Sequence, residues 1–118
     1  MSDSLAPHYR ANTGRDVRLY MPLMLDVDIE GVSARARFDW FEAVSDLYAG
    51  YFAEIDEWLR SKGMYYISNL WEENLLWVTC VVGDPMKLHR AFSMPGMDCL
   101  FKSGYDVHDF KEVSSVAE

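Results

Sequence analysis

Residues 17–38 read VRLYMPLMLDVDIEGVSARARF, and the way this stretch is folded decides how the rest of the chain is arranged. From Val17 to Ile29 every odd position is apolar: Val17, Leu19, Met21, Leu23, Leu25, Val27 and Ile29. A period of two is what a strand with one buried face shows. Beyond Gly31 the apolar set becomes Val32, Ala34, Ala36 and Phe38, the change of phase that a hairpin with Glu30-Gly31 at its tip would produce. In that register Ile29 faces Val32, Val27 faces Ala34, Leu25 faces Ala36 and Leu23 faces Phe38. Asp26 then lies opposite Arg35, and Asp28 opposite Ser33. Apolar matching and charge matching select the same pairing, so the stretch predicts a β-hairpin. Pro22 donates no ladder hydrogen bond and belongs at an edge or a bulge.

The next segment, FDWFEAVSDLYAGYFAEIDEWLRSKG at 38–63, is aromatic and acidic together. Asp39 and Glu42 have the spacing of a capping box. Arg60 and Lys62 suit the negative end of a helix dipole, and Gly63 suits a left-handed exit. The segment predicts a helix over 40–62, about 34 Å long. On a helical wheel Phe41, Val44, Tyr48, Phe52, Ile55 and Leu59 fall within an arc of about 60° and form the expected core stripe. Trp40, Leu47, Tyr51 and Trp58 make a second stripe on one flank. Asp39, Glu42, Asp46 and Glu57 gather on the far side, with Glu54 between that face and the flank. Either the flank is covered, or it is a contact surface of aromatic side chains beside carboxylates, suited to an arginine-bearing partner.

MYYISNLW and LLWVTCVV, joined by Glu72-Glu73-Asn74, read as a second hairpin. One of its faces would hold Tyr66, Leu70, Trp77 and Val81, an apolar outer surface on which a homodimer could form. Asp84-Pro85 then supplies an N-cap and a proline at the first turn of a short helix. The order ββαββα predicts an α+β domain, an antiparallel sheet of four to five strands packed on one long helix. A flexible leader at 1–15, a single domain at 16–110 and a flexible tail at 111–118 complete the expected organisation.

Composition narrows the function. Half of the 118 residues are hydrophobic, and no apolar run approaches a membrane span. Nothing at the start resembles a secretory signal, which places the expectation in the cytoplasm. A net charge of −8 disfavours direct binding of nucleic acid and favours basic protein partners. Cys80 and Cys99 lie far apart without a zinc-ligand or disulfide spacing, and Cys80, inside an apolar run, is expected to be a small buried hydrophobe.

No phosphate-binding glycine loop, zinc-protease motif, nucleophile elbow or calcium loop is present. Cys99, Asp106, His108 and Asp109 are the nearest thing to a catalytic cluster, and only the fold could assemble them. His89, with Lys87 and Arg90, reads as charge complementing a helix end. No cofactor or metal is expected. The leading expectation is a small, acidic, non-catalytic interaction protein that binds and inhibits a macromolecular partner. Its narrower form is a phage or mobile-element inhibitor occupying a basic surface of a nucleic-acid-processing protein. The alternative is a small-molecule binder or enzyme with an aromatic pocket between sheet and helix, lined by Tyr48, Tyr51, Trp71 and Trp77.

Overall fold

A computed structural model describes residues 3–25, 28–70, 75–97 and 107–117. The chain is mostly helical. Six helices are described: α1 (Leu5–Thr13), α2 (Val17–Met24), α3 (Ser33–Ser61), α4 (Leu75–Val82), α5 (Pro85–His89) and α6 (Val107–Val116). Two two-residue strands, β1 (Ile67–Ser68) and β2 (Met94–Pro95), pair in parallel with Ile67 beside Met94. The expected antiparallel sheet of four to five strands is not what the chain builds, and the α+β assignment is corrected to a helical one.

Helix chemistry overrides the alternation at 17–38. The Asp16 carboxylate accepts from the Arg18 backbone N–H and caps α2. Val17, Tyr20 and Met24 then turn inward at helical spacing, while Leu19 and Met21, on the same face of the expected strand, are exposed. Pro22 sits inside this helix, not at a sheet edge. Where the second strand was expected, α3 has already begun. Ser-Ala-Arg-Ala-Arg is a run of good helix formers, and Ser33 Oγ accepts from the Ile29 N–H just ahead of it. Asp39 is therefore an interior residue and no cap.

LLWVTCVV likewise forms α4, not a strand, with Val78 and Val82 buried and Leu76, Trp77, Cys80 and Val81 exposed. Cys80 is at the surface, against the expectation of burial. Within the first fifteen residues α1 occupies 5–13, and Tyr9 is 0% exposed. Residues 107–116 form α6. The end of α3 and the start of α5 agree with the sequence reading. Gly63 leaves α3 with φ 74° and its N–H bonded to the Arg60 carbonyl, and Asp84 accepts from the Lys87 N–H ahead of Pro85.

α3 is the element around which everything is placed, and it changes its buried side halfway along. With Phe41 at zero on a wheel of about 100° per residue, Ala36, Asp39, Trp40, Ala43 and Leu47 lie between about 160° and 260°. This side of the first half meets α1 and α2, forming a core with Leu5, Tyr9 and Val17. Ser45, Ala49, Phe52, Asp56 and Leu59 lie between about 0° and 80°, nearly opposite. On that side Ala49 and Phe52 pack on a second core of Leu70, Val78, Val82, Leu88 and Phe92. Phe52, Tyr66 and Phe92 meet there edge to face or tilted, with centroids 5.0–6.3 Å apart.

Gly83 approaches α3 closely. Its φ is 81°, and a β-carbon there would overlap Ser45 Oγ and lie 2.5 Å from the Phe41 carbonyl oxygen. The Ser45 hydroxyl, 0% exposed, accepts from the Asp84 N–H and donates to the Phe41 and Val82 carbonyls. Glycine is required here by space as well as by backbone conformation. The turn between α4 and α5 is thereby seated on α3.

Candidate interaction surface

The change of side divides the aromatic flank in two. Trp40 and Leu47 are half-buried against the core that α1 completes. Tyr51 and Trp58 are past the end of α1 and are each 59% exposed. The flank is thus covered in its first half and open in its second.

The acidic residues divide in the same place. Asp39, whose side chain is 3% exposed, receives the Arg15 guanidinium at 2.9 Å and the Arg35 guanidinium at 2.7 Å. Glu42 and Asp46 share the Lys87 ammonium at 3.2 and 2.8 Å. Asp46 also faces the His8 ring at 3.3 Å and accepts from the Asn12 amide. Burial would push the Asp46 carboxyl up, but hydrogen bonds from Lys87 and His8 outweigh it and hold it below the usual carboxylate range. The bond to Asp46, seconded by Glu42, raises Lys87 above its ordinary value. Asp39, Glu42 and Asp46 are therefore consumed in fastening α1, α3 and α5 together. Glu54 and Glu57 are exposed and form no ion pair among the described residues.

The distal half of α3 is tied at Asp56 to the segment behind it. Asp56 accepts from the Ser93 backbone N–H at 2.9 Å, from the Ser93 hydroxyl, and from Arg60 at 2.6 Å. Burial opposes ionisation of Asp56, yet these donors keep its carboxyl below the usual range. Arg60 is turned toward Asp56 and away from Glu57. What remains is a ledge of Tyr51, Glu54, Glu57 and Trp58 on one side of a braced helix.

The other expected sites are taken apart. Of the proposed dimer face, Leu70 is buried in the second core and Tyr66 packs beside it, while Trp77 and Val81 are exposed on α4. With no hairpin, the four do not form one outer surface. The expected pocket lacks the four-to-five-stranded sheet that would border it, since the described strands are only the short parallel pair β1 and β2. Tyr48, Tyr51 and Trp77 are surface residues, and Trp71 lies outside the described residues. Cys99 and Asp106, with the side chains of His108 and Asp109, also lie outside them. No group of three or more His, Cys, Asp or Glu among the described residues is arranged to hold a metal ion.

Sequence reasoning reads His89 as charge at a helix end and misses its burial. The residue is 4% exposed, its ring edge-on to Phe92, with Nε2 3.4 Å from a Glu112 carboxylate oxygen of α6 and Nδ1 without a partner among the described residues. Nothing in the local sequence distinguishes it from a solvated helix end. Arg15 was missed as well, and only the helical reading of α1 and α2 brings it to Asp39. Comparison of the chain with protein-family models, with curated proteins and with solved structures finds no match.

Proposed function

We propose that this protein acts by non-catalytic binding of a protein partner, and that the distal ledge of α3, Tyr51, Glu54, Glu57 and Trp58, is the contact surface. The carrying observation is the exposure of two large aromatic side chains beside two carboxylates that have no cation opposite them among the described residues, on a helix tied from behind to Ser93 through Asp56. Large rings lose little conformational freedom on binding and are the usual anchors of interfaces. Guanidinium groups satisfy both chemistries at once, stacking on rings and pairing with carboxylates. The fitting partner is a protein surface bearing arginine. The net charge of −8 steers such a partner toward the chain.

The narrower form, an inhibitor that fills a nucleic-acid channel, draws less support. Imitating a phosphate backbone requires a row of free carboxylates, and four of the six on α3 between Asp39 and Glu57 are already paired internally. Action in the cytoplasm remains part of the proposal. Among the described residues no helix is long and apolar enough to cross a membrane.

A titration of isotope-labelled protein with a peptide of alternating arginine and tyrosine tests this reading. Shifts should appear at the Trp58 indole and the amides of Tyr51 to Trp58, and Trp58→Ala should weaken binding at least ~10-fold. Equal binding of the glutamate counterpart of the peptide, or shifts confined to other helices, would reject the assignment.

A further inference from the structure

The switch of buried side along α3 leaves two ledges. Beyond α1, the distal half is open toward Tyr51, Glu54 and Trp58. Ahead of the turn at Gly83, the proximal half is open on the opposite side, where Ala34, Arg35 and Phe38 are exposed. Phe38 is 57% exposed, and the Arg35 guanidinium lies over its ring at 5.4 Å. One ledge is aromatic and acidic, the other aromatic and basic.

We infer that these ledges are the two halves of one self-association contact, in which the distal ledge of one copy rests on the proximal ledge of the next in the manner of a half-lap joint. This rests on the reading of the distal ledge as a contact surface, and it names a second copy of the chain as a partner. Three observations carry it. The steps face opposite ways, so a copy displaced along the helix axis brings its proximal step against the distal step of its neighbour. The charges match, because Arg35 on one side meets Glu54 and Glu57 on the other. Arg35 already holds Asp39 with its Nε, and its remaining N–H groups can serve a second carboxylate. The helix ends match too: the negative end of one α3 lies beside the positive end of the next.

The contact is heterologous, so nothing closes it, and repetition adds copies in a line. Two short ledges are at the small end of interface sizes, and the net charge of −8 opposes growth. Association is therefore weak. Salt is a poor test, since it screens the local attraction and the overall repulsion together.

Paired variants decide the question. Phe38→Glu places a carboxylate in the proximal ledge and leaves the distal one intact; Trp58→Glu does the reverse. Both positions are exposed, and circular dichroism with thermal melts checks that each variant folds, Phe38→Ser and Trp58→Ser standing in for any that does not. In sedimentation velocity at rising concentration the wild type should grow beyond a dimer, each variant alone should stay monomeric, and the equimolar mixture should form a dimer and stop there. A wild type that stays monomeric overturns the inference, as does a variant that associates like the wild type or a mixture that stays monomeric while the wild type associates. If self-association is absent while the arginine peptide still binds at Trp58, this inference fails and the proposed function stands. Loss of peptide binding alone would remove the function and leave the self-contact to be judged by the mixture.

Discussion

Lys87 and Asp46 show how a single ionic contact can hold three helices. Lys87 belongs to α5, Glu42 and Asp46 to α3, and the His8 and Asn12 that complete the group to α1. Exposed pairs usually contribute little, but here the side chains are about two-thirds covered and share partners. The carboxyl of Asp46 is depressed in the folded protein, so its stabilisation is present above the unfolded value of about 4 and is lost as pH falls through the folded value. Lys87 is raised, so its stabilisation is present below about 10.4 and is lost as pH rises through the folded value. Urea unfolding should therefore give a plateau between these limits with losses on both sides. Asp46→Asn should lower the plateau at neutral pH and reduce the loss on the acid side. An unchanged acid limb in that variant would show that other carboxylates, such as Asp56, carry the acid sensitivity.

At the scale of the element, the informative object is a helix with no single buried face. A wheel drawn over 40–62 averages two half-helices whose inward directions are nearly opposite. Its core stripe from Phe41 to Leu59 is divided: Val44 packs on the first core, Phe52 joins the second, and Tyr48 is exposed. The boundaries of α3 and α5 were legible at Gly63 and Asp84 because caps act through neighbouring backbone groups. The start of α3 was not, because Asp39 and Glu42 imitate a capping box while being held by Arg35 one turn earlier and by Arg15 and Lys87 from elsewhere in the chain. The alternation in 17–29 misled for a related reason. A short helix exposing Leu19 and Met21 violates the burial pattern that a lone amphipathic element would show. Of the candidate site, residue types and charge were legible, and so was the existence of an aromatic flank. Which half of it is open depends on where α1 ends. Truncation separates the halves: Trp40→Ala and Leu47→Ala should each cost about 2 kcal/mol, whereas Tyr51→Ala and Trp58→Ala should stay within about 0.5 kcal/mol. Chemical denaturation of the four variants checks this, and equal losses at all four would mean that the distal flank is covered.

At the scale of the whole molecule, two small cores sit on opposite sides of one helix. Leu5, Tyr9, Val17 and Ala43 form one; Leu70, Val78, Val82, Leu88 and Phe92 form the other. The packing between them runs through α3, and the ionic group around Asp46 bridges them where the buried side changes. Cooperativity between the cores is therefore set by a few residues near 42–47. Such an arrangement opens in parts, with local free energies that differ between the two units. Tyr9 fills the first core at 0% exposure, and Tyr9→Ala should cost about 3–5 kcal/mol of that unit's packing. The damage should stay where it is made. In native-state hydrogen exchange of the Tyr9→Ala variant, amides of α1, α2 and residues 36–41 should lose protection by orders of magnitude. Those of residues 49–59 and of α5 should keep most of theirs, because the contacts that bury Phe52, Leu88 and Phe92 are untouched. If protection falls by the same factor in both halves, α3 transmits the loss as one cooperative unit. The two ledges would then form and vanish together, and a partner bound at Trp58 would be felt at Phe38.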